Sequence, residues 1–414
     1  MLPKIDGHYL FILPLPANAP TEHNASLYGI CYAYTDANFN IIGNKEIITC
    51  KGLCYKLPSP SYLFAQGIDP NTIRQGLSEH DFYKKVTELL TAPNTDIFTW
   101  SVRNLKILEK ISLRLIEPNV LSRINSLVDI NKLLKLNEYF ETGLFTKSDS
   151  LVNYAKKLGF NQKIDFCDPK SRLDMLLYVV KYLNQNESAL LNYSLQGKTY
   201  NINKTRNAIE KNTTLLDYNP KLRLIQIVKP VAIIEPKDGF EALVTDGDNL
   251  THEFISFSNF GILSPSTVLT EKRQQITHFD LNAANKALYS ADIKSIPLDE
   301  STLPLYDKLI KLFNKADLKL YDEYLRMPKN ALDRPPLSCS KTFRELVFIL
   351  RGNNFRGTMT DQELSYFYKM CANLIQNQAR AYAKELNNLQ NNINENDEDQ
   401  LALFAKIQAY PTTL

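Results

Sequence analysis

Glycine is scarce in this chain, 14 residues in 414, and tryptophan occurs once. So low a glycine content argues against sandwich and propeller repeats, whose many tight turns need residues that tolerate positive φ. No apolar run approaches the roughly 18 residues of a membrane-spanning helix. The N-terminus has no cationic region followed by an apolar core and a small-residue cleavage site. A cytoplasmic protein with no membrane contact is therefore expected. An excess of one charge is also missing: the net charge is +3, so no global field attracts nucleic acid or anionic lipid. A local groove can still be basic. The six cysteines do not make a disulfide framework, and Cys50 and Cys54 have neither zinc-knuckle spacing nor a second pair downstream. They read as reduced thiols. The five histidines make no H-x-H or H-E-x-x-H spacing, and no Gly-x-Ser-x-Gly elbow, Walker loop or dinucleotide fingerprint is present.

What is present is an ordinary globular composition, 44% hydrophobic and 22% charged, long enough for about two or three domains. Residues 9–15, 28–34 and 40–49 read as three strands, with Asp36-Ala37-Asn38 as the turn between the last two. Asp69 before Pro70 is a helix start, and Ser78 begins another whose stripe is Phe82, Val86, Leu89 and Leu90. Thr95–Trp100 reads as a strand, followed by helical segments at 104–115, 129–136, 150–158 and 171–183. Residues 191–213, rich in Asn, Lys and Thr, read as an exposed passage. Leu222–Glu235, Phe240–Thr245, Ile255–Val268 and Ile293–Pro297 have β character, with Pro230 breaking the first run. From Leu305 the pattern is helical, with an acidic, Asn-rich interruption at 387–400. This order predicts an α/β domain on a mixed sheet, a β-rich middle and a helical end.

The first strand, Phe11-Ile12-Leu13-Pro14-Leu15-Pro16, lacks something more specific. Acids at alternate positions of such a strand would face the same side and hold the same cations. Here those positions are prolines, which offer neither a ligand nor a ladder hydrogen bond.

Three segments carry a resemblance: TDANFNIIG (Thr35–Gly43), LPSPSYLFAQGIDPNTI (Leu57–Ile73) and FILRGNNFRGT (Phe348–Thr358). They resemble bacterial exonuclease I, the single-strand 3′→5′ exonuclease of the DEDD superfamily. The resemblance implies an RNase H-like exonuclease domain at 1–190, an SH3-like β domain at 191–300 and a helical domain at 301–414, closing as a C-shaped clamp around single-stranded DNA. It implies magnesium or manganese as cofactor only if the catalytic acids are kept. Carried over one at a time, they are not. The Asp and Glu of the first strand fall on Pro14 and Pro16, and the next Asp falls on Lys106. The final His and Asp fall on Cys167 and Arg172, and a shift of two moves the last onto Asp174. Asp129 reads as a helix cap. Asp165 and Asp168 lie close together but have no partner acid on the first strand.

The expectation is thus a non-catalytic homologue with no metal cofactor, whose partner is single-stranded DNA. An accessory role beside an active exonuclease or the single-strand-binding protein is the alternative, and activity through displaced ligands is the third reading. Lys106 and Arg172 either contact phosphate or are solvated surface. Trp100 is a base platform or a core residue. Arg351, Asn354, Phe355 and Arg356 are the candidate strand contacts, extended by Lys341 and Arg344, unless Phe355 packs the helical domain.

Overall fold

The computed structural model describes residues 9–144, 150–161, 168–186, 188–219, 224–234, 241–254, 262–265, 268–299, 305–393 and 397–413. β1 (Tyr9–Pro16), β2 (Leu27–Thr35) and β3 (Ile41–Thr49) form an antiparallel meander. β4 (Asp96–Thr99) and β5 (Ser126–Asp129) continue the sheet in parallel from the other side of β1, giving the order β3-β2-β1-β4-β5. The Asp36 carboxylate accepts the Asn38 and Asn40 amides at 2.9 and 2.8 Å, which turns the chain into β3.

Helices cover both faces of this sheet. After β3 come α1 (Pro60–Ala65), α2 (Pro70–Arg74) and α3 (Glu79–Leu90), the last two capped by Asp69 and Ser78 as the sequence predicts. Between β4 and β5 lie α4 (Val102–Leu105) and α5 (Ile107–Leu115). After β5 come α6 (Ile130–Thr142), α7 (Leu151–Lys157) and α8 (Pro169–Asn186). The short strand β5 was not anticipated. Its four residues are too few to show a period, and Asp129 at its end reads as a helix start.

The stretch read as an exposed passage folds instead as α9 (Ser188–Ser194) and α10 (Lys198–Glu210). Its inward face on α10 is Asn201, Thr205 and Ala208, all buried. Small and polar side chains form that stripe, so hydrophobic periodicity missed it. Thr205 Oγ1 satisfies itself on the Asn201 carbonyl at 2.9 Å.

A second, antiparallel sheet follows: β6 (Leu215–Asn219), β7 (Leu224–Ile234), β8 (Glu241–Thr245), β9 (Leu250–Phe254) and β10 (Ile262–Pro265), in the order β10-β6-β7-β8-β9. β7 runs through Pro230, and the break expected there is only a register irregularity between Pro230 and Ala232. The β-like reading of Ile293–Pro297 is corrected to a 3-10 turn at Ile293–Ser295. Two helices not expected in this region, α11 (Glu271–Thr277) and α12 (Leu281–Ser290), precede that turn. The predicted β character at 255–261 falls outside the described residues.

The chain ends in α13 (Leu305–Ile310), α14 (Lys315–Arg326), α15 (Lys341–Asn354), α16 (Asp361–Gln390) and α17 (Glu398–Ala409). Among the described residues no helix is long and apolar enough to cross a membrane.

β1 is buried on both faces, which explains its near-continuous apolar run. Leu10 and Ile12 join a cluster with Phe82 and Val86 and with Tyr321, Phe343, Val347 and Leu350 from α14 and α15. Phe11 and Phe98 face the other way, toward Leu173, Leu176 and Val180 of α8 and toward Leu216, Ile225 and Ile227 of the second sheet. A third cluster joins Leu15, Leu63 and Ile73 to Tyr382, Leu403 and Ile407. The first of the three stretches anticipated as separate domains therefore shares a core with each of the other two.

Candidate nucleic-acid cleft

β4 pairs β1 only as far as Ile12, opposite Thr99. Pro14 and Pro16 lie beyond that point, so their missing N–H groups remove no rung from β4, and the strand stays intact through Pro16. Past this end opens a cleft of about 460 Å³, lined by Pro14, Tyr62, Gln66, Trp100, Asn104 and Arg172 among others. Three residues singled out from sequence thus meet in one place: Pro14, Trp100 and Arg172.

Each is positioned by local chemistry. Trp100 follows β4, its carbonyl accepts the Asn131 amide at 3.1 Å, and its indole packs on Tyr154 of α7 at 5.7 Å between ring centroids. Asp129 sets the geometry beneath it. One carboxylate oxygen caps α6 through the Lys132 amide at 3.0 Å, and the other accepts the Val102 amide of α4 at 2.9 Å. The cap reading of Asp129 is thereby met, and burial pushes its carboxyl above the ordinary range. Arg172 projects from the first turn of α8 across the cleft, where its guanidinium donates to the Ala65 carbonyl of α1.

Other candidates lie elsewhere. Pro16 is buried beside the cleft rather than lining it, and its carbonyl accepts from Gln66 Nε2 at 3.4 Å. Lys106 is exposed at the junction of α4 and α5 and is not among the lining residues, which agrees with the solvated-surface alternative. Asp174 faces away and is paired with Lys45 of β3 at 2.6 Å. Asp168 caps α8 through the Lys170 amide at 2.9 Å. Cys167 and Asp165 lie outside the described residues.

The residues missed from sequence are Tyr62, Gln66 and Asn104. Tyr62 on α1 and Gln66 at its C-cap are four apart, the spacing that places side chains on one helix face. That face was legible once Ser59-Pro60 is taken as the start.

The described lining contains no carboxylate, and among the described residues no group of three or more His, Cys, Asp or Glu could hold a metal ion. Two divalent cations need several carboxylate oxygens, so this donor set of hydroxyls, amides and a guanidinium does not fit them.

The C-terminal segment FILRGNNFRGT is mostly turned inward. Arg351 is buried, paired with Glu363 at 3.2 and 3.3 Å, and donates to Thr358 Oγ1 at 3.1 Å. Burial pushes Glu363 up, but the Thr360 amide and Arg351 outweigh it and hold the carboxyl below its usual range. Asn354 Oδ1 accepts the His80 amide at 3.0 Å and Asn353 Oδ1 accepts the Cys54 amide at 3.1 Å. Phe355 packs edge-on against His80, with ring centroids 4.8 Å apart. Arg351, Asn354 and Phe355, read from sequence as strand contacts, therefore hold α15 to α16 and to α3. Arg356 alone of the four is exposed, lying over the Tyr368 ring at 5.4 Å.

No family model matches the chain. A stretch of 85 residues is 34% identical to exodeoxyribonuclease I of Haemophilus influenzae, covering 20% of this chain and 17% of that one. A stretch of 88 residues is 33% identical to exodeoxyribonuclease I of Buchnera aphidicola subsp. Schizaphis graminum, covering 21% and 18%. The matched segment thus spans less than a fifth of either relative. Solved structures match over far more. A product-bound exonuclease I superposes with a TM-score of 0.73 at 18% identity, over 99% of this chain and all of that one. An E. coli exonuclease I–ssDNA complex follows at 0.68 and 17%, over 99% of both chains. A structure described as SSB/exonuclease I with an inhibitor also gives 0.68 at 17%, over 99% of this chain and 100% of that one. The fold is thus an α/β fold on a mixed sheet, the one these exonuclease structures share. The particular likeness, as the sequence resemblance implied, is to bacterial exonuclease I.

Proposed function

We propose that this chain binds single-stranded DNA in the cleft beside β1 without hydrolysing it, acting in DNA metabolism as a non-catalytic exonuclease I homologue. One observation carries the reading. The cleft brings Trp100 and Arg172 together around Pro14, a base platform and a phosphate donor where acids would stand in an exonuclease. Solved neighbours that hold ssDNA support the choice of ligand. In this reading the clamp consists of residues 1–190 as the exonuclease-like part, 191–300 as an SH3-like part and 301–414 as the helical part, and no metal cofactor takes part.

A titration of labelled oligonucleotide against the full chain, paired with a nuclease assay in magnesium and in manganese, tests it. Salt-dependent binding without nucleotide release is the expected result. Release of nucleotides that is lost on Asp165→Ala or Asp168→Ala would replace it with hydrolysis through displaced ligands.

An accessory role beside an active nuclease or the single-strand-binding protein is the second reading. The inward-facing Arg351, Asn354 and Phe355 favour it, since they leave fewer groups for DNA, as does the neighbour described with SSB. It predicts co-purification with that protein and weak affinity for naked DNA.

A further inference from the structure

The cleft wall α1 is tied to α16 by a polar seam. Gln378 accepts the Leu57 amide at 3.1 Å and donates to the Tyr55 carbonyl at 3.0 Å. Glu385 accepts from the Ser59 hydroxyl and, at 3.2 Å, from the Ser61 amide. At the upstream end of this seam two thiols meet: Cys54 Sγ and Cys371 Sγ lie 3.6 Å apart although 317 residues separate them in sequence. They differ in character. Cys371 is buried on α16, whereas Cys54 is partly exposed in the loop before α1. The hydrogen bond from Cys371 holds the Cys54 thiol below its ordinary value against the opposing effect of burial, and the Arg356 guanidinium adds to the lowering. Asn353 fixes the Cys54 backbone from the same C-terminal segment. The other described thiols, Cys31, Cys50 and Cys339, are buried and have no sulfur partner among the described residues.

We propose that Cys54 and Cys371 form an oxidative modification site, a disulfide made by hydroperoxides that locks the wall of the cleft to α16. The Cys54 thiolate attacks the terminal peroxide oxygen. The O–O bond breaks, leaving Cys54 sulfenic acid and an alcohol, or water from hydrogen peroxide. The Cys371 sulfur then attacks the Cys54 sulfur, the S–O bond breaks, and water leaves with the Cys371 proton. Two thiols give up two electrons and the hydroperoxide takes them. Thiol reductants reverse the bond by exchange. The proposal stands on the seam and the sulfur pair alone and does not depend on what the cleft binds.

The test treats the full chain with hydrogen peroxide, blocks free thiols, and maps peptides without reduction. The expected product is a single Cys54–Cys371 cross-linked peptide that dithiothreitol reverses, with a thermal midpoint several degrees above the reduced form. Slowed hydrogen exchange at the Leu57 and Ser61 amides should accompany it. Cys371→Ser should leave a Cys54 sulfenic acid that a dimedone probe traps, and Cys54→Ser should leave Cys371 unmodified. The serine variants keep size and shape, and their own melting curves report whether they fold. Wild-type Cys54 that stays reduced, or that is oxidised without linking to Cys371, would overturn the proposal.

Discussion

Asn354 on α15 accepts the backbone proton of His80 on α3 at 3.0 Å, and this single bond joins residues 274 apart in sequence. It completes the N-terminal turn of α3, whose first amides have no partner within the helix. With Asn353 on the Cys54 amide, it makes the segment Phe348–Thr358 a joint between the helical end of the chain and its first sheet. Asn354→Ala should leave that amide without its side-chain acceptor and lower stability by about 1 kcal/mol, while Asn354→Asp should restore most of the loss. Chemical denaturation of the three proteins measures the difference.

Gly352 is where α15 meets Phe367 of α16, and an added Cβ would overlap the Phe367 ring. Gly352→Ala should destabilise by about 1–3 kcal/mol despite alanine's better helix propensity. A thermal midpoint unchanged or raised would show that the two helices part easily.

Arg351 and Glu363 form an ion pair with side chains 5% and 18% exposed. Glu363→Ala should leave the guanidinium buried and unpaired, at a loss of about 3 kcal/mol or more, while nucleic-acid affinity per folded molecule stays unchanged. A selective fall in affinity would return Arg351 to the list of strand contacts.

Within the cleft, Arg172 and Lys106 should behave differently. If single strands bind there, Arg172→Ala should reduce the slope of log affinity against log salt by about 0.7, the release expected for one single-strand phosphate contact. Lys106→Ala, outside the lining, should leave the slope as it was. Trp100→Leu should weaken binding by about 1–3 kcal/mol if a base stacks on the indole. Fluorescence anisotropy at several salt concentrations gives all three.

Asp129 provides a test in pH. Its folded carboxyl is raised by burial, so the folded state holds the proton more tightly than the unfolded chain. The contribution of this group is then fully present below the unfolded value of about 3.9 and is lost as pH rises through the folded one. Asp129→Asn has no such titration. The stability gap between wild type and variant should therefore shift in the variant's favour as pH rises from about 3 to neutrality, whatever its sign at the start. A gap that stays flat would mean that the two amide hydrogen bonds cancel the burial.

Much of this was legible from sequence wherever the signal is local. The caps at Asp69, Ser78 and Asp129 need only a polar side chain and the two or three residues after it. The strands β1 to β3 show themselves through length and turn chemistry. The helix α10 did not, because its buried stripe of Asn201, Thr205 and Ala208 is not hydrophobic. Site residues divide the same way. Pro14, Trp100 and Arg172 line one cleft, whereas Lys106 lies at the exposed junction of α4 and α5 outside it. Arg351, Asn354 and Phe355 looked like surface contacts because charge, amide and ring are what a strand-binding face requires. Only the tertiary partners Glu363 and His80 reveal that they hold the protein together.

The sharing of Leu10 and Ile12 with Tyr321, Phe343 and Leu350 bears on how the molecule is made. A chain emerging from the ribosome can pair its opening strands and pack α3 and α5 on them early, yet the cluster they share stays incomplete until Leu350 has been synthesised. Fragments cut near residue 190 or 300 would expose the part of that cluster which Tyr321, Phe343 and Leu350 cover, so expressing the pieces separately should give aggregates in place of working halves.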